Sequence, residues 1–390
     1  FPWARGAAFS LVPVSSRCSF HPLSCAPAMP TSQGALPYQD IKGLMASDAI
    51  LGVTQDAALQ PASLDLSLTD EIYRVRGSYL PRKGESIQDI LKRGLLFKHN
   101  IEQPLEYNGI YLIKLAESLQ LPPDIHAAAS NKSSSGRINF RARLIADGVP
   151  RFDDIPAGYR GALWLEVSPK SFPVRIHAGD RVNQMRFYRG DARLSTAEHK
   201  SVFEEFHLLR TLDGKYIPNS EDYVGRGITM TIDLHSQDRI GWRAKTAPEA
   251  VLDTAKFDHD PRAFFEEIAR PTNEELVLHP GDFYILSTRE RILTPPNYST
   301  EMVSYDASNG EFRSHFAGFF DPGWGWREKD EERGTIAVLE VECYGHPFVL
   351  RDGQPICLMV YEHMRDIPEK LYGSDLKSNY SSQQGPRKMV

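Results

Sequence analysis

Residues 131 to 137 read Asn-Lys-Ser-Ser-Ser-Gly-Arg, which puts three hydroxyls, a glycine and two cations within seven residues. Such a run suits anion chemistry. Gly136 lets the backbone turn tightly, so that its N–H groups can approach an anion. Lys132 and Arg137 supply charge, and the Arg137 guanidinium adds a planar fork of donors matched to phosphate oxygens. Ser133, Ser134 and Ser135 contribute hydroxyls that donate and accept. The same composition also fits a solvated loop, so the surroundings decide. Two carboxylates form the second feature. Glu166 lies between Leu165 and Val167, and Glu340 between Leu339 and Val341. A carboxylate held in a largely dry pocket has its pKa raised and can carry protons between a water and a leaving group. A glutamate in a strand can equally well just face solvent.

The elements that must position these groups occur twice, at a spacing of about 170 residues. "QPASLDLSL" at 60–68 has an echo in "GITMTIDLH" at 227–235, pairing Asp65 with Asp233. "NGIYLIKLAESLQLPP" at 108–123 resembles "PGDFYILSTRERILTPP" at 280–296. "GALWLEV" at 161–167 resembles "GTIAVLEV" at 334–341 and pairs Glu166 with Glu340. "IHAGDRVNQMRF" at 176–187 resembles "LRDGQPICLMVY" at 350–361, pairing Gly179 with Gly353 and Met185 with Met359. The segments read as strands. Leu64, Leu66 and Leu68 alternate with Asp65 and Ser67, the period of a half-buried strand. The apolar run of Ile110, Leu112 and Leu115 stops at Pro122-Pro123. "ICLMVY" at 356–361 is a continuous apolar strand. Helices are expected to be few, and the best candidates are 86–93, with Ser86 as N-cap, and 262–269, on Phe264, Phe265 and Ile268. The turn-rich stretch 205–222 is the expected domain boundary.

Composition narrows the classes. The chain has 390 residues, enough for two or three domains, with 41% hydrophobic and 25% charged residues, as in an ordinary globular protein. A formal net charge of −6 argues against general nucleic-acid binding. No apolar run reaches the roughly 20 residues that span a bilayer, so no membrane association is expected. Cys18, Cys25, Cys343 and Cys357 form no C-x-x-C pair, which fits a reducing compartment and a cytoplasmic location. Residues 1–28 contain Arg5, Arg17 and five serines but no acid. They read either as an organelle transit peptide or as sequence ahead of a start at Met29, and are set apart from the fold.

"QPASLDLSL", the Ser-Ser-x-x-Arg loop, "GALWLEV" and "HAGDRVNQMRF", in that order, resemble the dCTP deaminase and trimeric dUTPase superfamily. "LYGSDLKSNYSSQQGPRK" at the C-terminus resembles the nucleotide-covering tail of the dCTP deaminases, and the long two-domain bacterial form is the nearest likeness. The resemblance implies a mainly all-β chain with two tandem dUTPase-like distorted β-barrel or jelly-roll domains and a few short helices. The expected division is a non-core extension over 1–39, domains over 40–210 and 211–365, and a covering tail over 366–390. It implies hydrolysis of the 4-amino group of dCTP to give dUTP and ammonia, within a homo-oligomer, with dTTP as an inhibitor. Mg²⁺ is expected through the substrate triphosphate, with no protein metal ligands and no zinc. In agreement, the H-x-E and P-C-x-x-C motifs of zinc deaminases are absent from the sequence.

By the same resemblance Glu166 matches the catalytic glutamate, Glu340 its second copy, and Arg137 the arginine beside the reaction centre. Ser133 and Ser134 match serines that bind phosphate or the catalytic water, and Lys132 stands where the family often has arginine. Ala146 and Ala317 match a position whose backbone meets the cytosine edge. In the tail, Tyr372 and Tyr380, eight residues apart, match positions lining sugar and triphosphate, and Gln383 and Gln384 follow as further candidates; Asn379 stands where the family commonly has lysine, with Lys377, two residues away, as the candidate substitute. The second half departs from the pattern: at 304–308 it reads "SYDAS", without the arginine, yet it keeps "AGFFDPGWG" at 317–325. Two arrangements are open. Either loop 132–137 faces Glu340, giving one site per chain, or the whole site lies on the first domain with Glu166. Two other functions stand beside dCTP deamination. One is dUTP diphosphatase activity, alone or combined with deamination, with Asp321, Asp153 or Asp154 activating water. The other is nucleotide binding without turnover.

Overall fold

The computed structural model describes residues 32–53, 58–246, 248, 250–305, 312–313, 318–329, 332–373 and 376. Strands dominate. In the first domain the main ones are β1 (Leu64–Val75), β2 (Leu95–Lys98), β3 (Ile110–Gln120), β4 (Ile125–Asn131), β5 (Phe140–Ala146), β6 (Asp154–Ile155), β7 (Arg160–Pro169) and β8 (Arg181–Arg189). Their order in one curled sheet is β5-β7-β3-β1-β8-β4-β6. In the second domain the main ones are β9 (Ile228–Thr231), β10 (Arg239–Ala244), β11 (Phe265–Ala269), β12 (Phe283–Ile292), β13 (Tyr298–Ser304), β14 (Phe312–Arg313), β15 (Phe319–Phe320), β16 (Thr335–Cys343) and β17 (Pro355–His363). These form two sheets, β11-β10-β12-β16-β14 and β9-β17-β13-β15. The chain is therefore mainly β, with barrel-like sheets in two tandem domains.

The helices are short, and besides Tyr38–Ala46 and Ser220–Tyr223 there are three that bear on the site or the cores. α1 (Ile87–Gly94) begins where Ser86 and Asp89 cap each other's backbone N–H groups. α2 (Ser133–Arg137) is a single turn. α3 (Thr196–Phe206) carries the same kind of box from Ser195 and Glu198. It buries Val202, Phe203 and Phe206 in the second core, so that core begins ahead of the 205–222 stretch expected as the boundary. The helix expected over 262–269 does not form. A single 3-10 turn, Pro261–Ala263, leads into β11, which pairs antiparallel with β10. Phe264 and Phe265 instead pack on Phe172 of the first domain, with ring centroids 5.1 and 5.6 Å apart.

The first core crosses the domain boundary. Trp242, Phe264, Phe265, Phe283 and Ile285 of the second domain are buried together with Phe140, Phe172 and Val174 of the first. Polar groups fix the register. Arg186 on β8 is fully buried and donates to the Glu362 carboxylate at 2.9 Å and to Asp321 at 3.4 Å. It also donates to the main-chain oxygens of Thr300 (3.4 Å) and Phe320 (3.2 Å) and lies over the Phe319 ring. Burial works against the Arg186 charge, but Tyr188, Glu362 and Asp321 more than offset it and keep the guanidinium protonated. Removing one partner of such an assembly strands the remaining charges. Arg186→Leu is expected to lower unfolding free energy by about 3–5 kcal/mol, read as a fall in the urea midpoint.

Candidate functional site

β4 ends at Asn131, and the chain makes one helical turn before β5 begins at Phe140. Asn131 clamps the two ends of that excursion. Its amide donates to the Phe140 oxygen at 2.8 Å and its oxygen accepts from the Ala142 N–H at 2.9 Å. Asn183 on β8 donates to the Ala142 oxygen at 3.0 Å. Asn139 closes the turn in the left-handed region at φ 49°, a conformation that asparagine tolerates, and its side chain donates to Ser171 at 2.9 Å. The loop is thus a rigid feature of the sheet. Its own N–H groups turn inward, with Ser135 and Gly136 both donating to the Lys132 oxygen.

Gly136 is helical and does not need a positive φ, contrary to the tight-turn role expected from the sequence. Its need for hydrogen in place of a side chain comes from across the domain boundary. A Cβ added at Gly136 would lie 2.5 Å from Glu340 Oε2 and 2.6 Å from Oε1 and Cδ. The Glu340 carboxylate, nearly fully buried on β16, rests directly on the glycine of the loop. Arg137 and Ser135 are buried here as well, whereas Ser133 is half-buried and Ser134 exposed. Two residues along β16 from Glu340, Glu342 accepts from Arg141 of β5 at 3.0 Å and from Tyr344 at 2.8 Å. This face of β16 is therefore held against α2 and β5 of the first domain.

Lys132 donates to Asp65 on β1. Burial raises the Asp65 pKa, while Lys132 and Arg181 counter the shift. The segment 318–325 also reaches this region. Gly318 N–H donates to the Ser130 hydroxyl of β4 at 3.1 Å, and Ser63 donates to Asp321 at 3.5 Å. Tyr372 joins from the C-terminal side, with its N–H donating to the Pro322 oxygen at 2.9 Å. Lys132, Ser133, Ser134, Ser135, Arg137 and Glu340 thus belong to one region, with Tyr372 held on the turn at its edge.

Glu166 has other partners. Its carboxylate accepts from the Ser78 hydroxyl at 2.8 Å and from the Tyr79 N–H at 3.1 Å. Burial pushes its pKa up, and Ser78, Tyr79, Arg143 and Arg141 oppose the shift. Ala146 is buried at the end of β5, its oxygen accepting from Val149 N–H at 3.2 Å. Ala317, Lys377, Tyr380, Gln383 and Gln384 lie outside the described residues, as do residues 1–28. Sequence reasoning missed Asp65 as the partner of Lys132, although its pairing with Asp233 had singled it out. It also missed Asn131, whose place at the end of a strand was the available signal.

Two tandem β domains thus meet over a cation-rich loop and a buried glutamate. Known proteins narrow this further. Residues 32–191 match the model of the 2'-deoxycytidine 5'-triphosphate deaminase (DCD) N-terminal domain, and residues 196–387 that of its C-terminal domain. The crystal structure of 2'-deoxycytidine 5'-triphosphate deaminase from Agrobacterium tumefaciens is 39% identical, with a TM-score of 0.78, over 86% of this chain and 99% of that one. A "dCTP deaminase, dUMP-forming" from Methanosphaera stadtmanae is 29% identical over 163 residues, 40% of this chain and 76% of the relative. A "dCTP deaminase" from Natronomonas pharaonis is 31% identical over 128 residues, 32% of this chain and 60% of the relative. The chain belongs to the 2'-deoxycytidine 5'-triphosphate deaminase family.

The contact between Gly136 and Glu340 can be tested without substrate. Gly136→Ala is expected to cost about 1–3 kcal/mol through overpacking. The cost should shrink by at least about 0.5 kcal/mol in a Glu340→Ala background, which removes the clashing carboxylate. A double-mutant cycle by urea denaturation measures both.

Proposed function

We propose that the chain deaminates dCTP hydrolytically at the junction of its two domains, with Glu340 as the proton-transfer group. The observation carrying this reading is the carboxylate of Glu340 lying against Gly136, inside the loop that also holds Arg137 and Ser133. In the proposed step a water oxygen bonds to C4 of the cytosine while Glu340 accepts the proton that the water gives up. The C4=N3 π pair moves to N3, which takes that proton from Glu340; the C4–N4 bond then breaks as the C4 hydroxyl gives its proton through Glu340 to the amine, which leaves as ammonia, and a C4 carbonyl remains. A buried base of this kind contributes on the order of 10²- to 10⁴-fold in rate. Arg137, buried beside it, supplies fixed donors where negative charge develops. Lys132, aimed by Asp65, and the Ser133 and Ser134 hydroxyls meet the triphosphate.

Mg²⁺ is assigned to the phosphates of the substrate and to water. Magnesium commonly binds this way, through few protein ligands. The carboxylates at hand support that assignment, because Asp65 is engaged by Lys132 and Asp321 by Arg186. The absence of H-x-E and P-C-x-x-C motifs supports a glutamate-activated water rather than a zinc-bound one.

A second reading, release of dUMP, is favoured by the printed name of the Methanosphaera stadtmanae relative. It needs a carboxylate to activate water at the α-phosphate. Asp321 is tied to Arg186 and Ser63, and Asp153 accepts from the Leu144 N–H at 2.7 Å. Their engagement favours dUTP as the product. Incubation with dCTP and Mg²⁺, followed by ammonia, pyrophosphate and nucleotide analysis, separates the two. Equimolar ammonia and dUTP are expected; pyrophosphate with dUMP would replace this reading by the second. Glu340→Gln is expected to lower kcat by about 10²- to 10⁴-fold with little change in KM.

A further inference from the structure

Glu166 and Glu340 occupy matching places in their sheets. The hydroxyls of Tyr111 and Tyr284 each accept from a main-chain N–H five residues earlier, that of Glu106 at 3.1 Å and that of His279 at 2.9 Å. The residue after each tyrosine stands opposite a glutamate, Leu112 opposite Glu166 and Ile285 opposite Glu340. The neighbouring strands agree, because β5-β7-β3-β1 in one sheet has the same order as β14-β16-β12-β10 in the other.

What covers the two faces differs. Ile285, with Trp242 opposite it on β10, is buried in the core of the first domain, and Glu340 beside it rests on Gly136. The corresponding face of the first domain carries Leu112, Trp164 and Glu166. There the cover is local. Ile87, Ile90 and Leu91 of α1 form a separate small core with Leu112 and Trp164. Ser78 and Tyr79 give the Glu166 carboxylate a hydroxyl and an N–H donor. Tyr79 is itself held in place: Arg76 Nε donates to its hydroxyl at 2.5 Å, and a Cβ at Gly94 would lie 2.7 Å from its ring.

We propose that residues 76–94 are an internal cap. On the Glu166 face they take the position that the first domain takes on the Glu340 face, so each chain offers one nucleotide site and one catalytic glutamate. The physical need is clear. A head-to-tail contact between similar domains leaves the same face open at the far end, and that face recruits further domains until a ring closes or something covers it. The cap ends it with a hydrophobic cover and two donors that satisfy the buried carboxylate.

This inference rests on the reading of Glu340 as the base, and its test uses two independent readouts on the full chain. Glu166→Ala removes the acceptor for Ser78 and Tyr79. It is expected to leave kcat and KM for dCTP within about twofold of wild type. It should also speed tryptic cleavage after Arg76, Arg82, Lys83, Lys92 or Arg93 by about tenfold, the effect of losing hydrogen bonds to a charged group. Glu340→Ala is expected to do the reverse, abolishing turnover without speeding cleavage of the cap. Glu166→Gln, which keeps one acceptor oxygen, should give an intermediate cleavage rate. Titration of Glu340→Gln with dCTP should saturate at one nucleotide per chain. The cap is overturned if Glu166→Ala loses turnover as Glu340→Ala does, if its cap is cut no faster, or if two nucleotides bind. If the wild-type chain releases no ammonia from dCTP, the deaminase reading falls, while the cleavage rates still judge the cap.

Discussion

A fully buried guanidinium sets the geometry on which the rest of the molecule depends. Arg186 leaves β8 of the first domain and is met by Asp321, Glu362 and two main-chain oxygens of the second. An ion taken so far from water is costly unless its partners are placed to receive it. The two domains therefore have one acceptable docking angle, because a small rotation would strand three charges. Tyr188 and Ser299 extend the same requirement, each donating to Glu362 at 3.2 Å. From this junction a chain of polar groups runs outward through Asp321 and Ser63 toward Asp65 and Lys132, at the edge of the loop. The junction and the loop are parts of one polar system.

The apolar part of the interface has a different task. Trp242, Phe264, Phe265, Phe283 and Ile285 belong to the core of the first domain although the second domain supplies them. Apolar burial gives attraction without direction. Arg186 gives direction at a desolvation cost. Together they press β16 against α2 closely enough for a carboxylate to touch a glycine.

Much of this was legible along the chain. The alternation of Leu64, Leu66 and Leu68, the run ending at Pro122, and the apolar segment 356–361 all fall in strands. Ser86 caps a helix because a hydroxyl three residues ahead of Asp89 is a local signal. The readings that depended on distant partners fared worse. Phe264, Phe265 and Ile268 have helical spacing, yet β10 and Phe172 draw that segment into a strand and an interface. The loop and both glutamates stood out by residue type, but which glutamate meets the loop is a property of domain docking. Nothing in "QMRFYR" distinguishes a buried arginine from a surface one, since burial of charge depends on acceptors more than 100 residues away.

The resting of Glu340 on Gly136 also bears on how the enzyme responds to dilution. Loop and glutamate come from different domains, and in a chain that joins them their encounter is intramolecular. Effective concentrations set by a short covalent link are typically millimolar, and they do not fall when the protein is diluted. The two halves of this site stay together however scarce the protein becomes. The contact between loop and glutamate should then be insensitive to protein concentration.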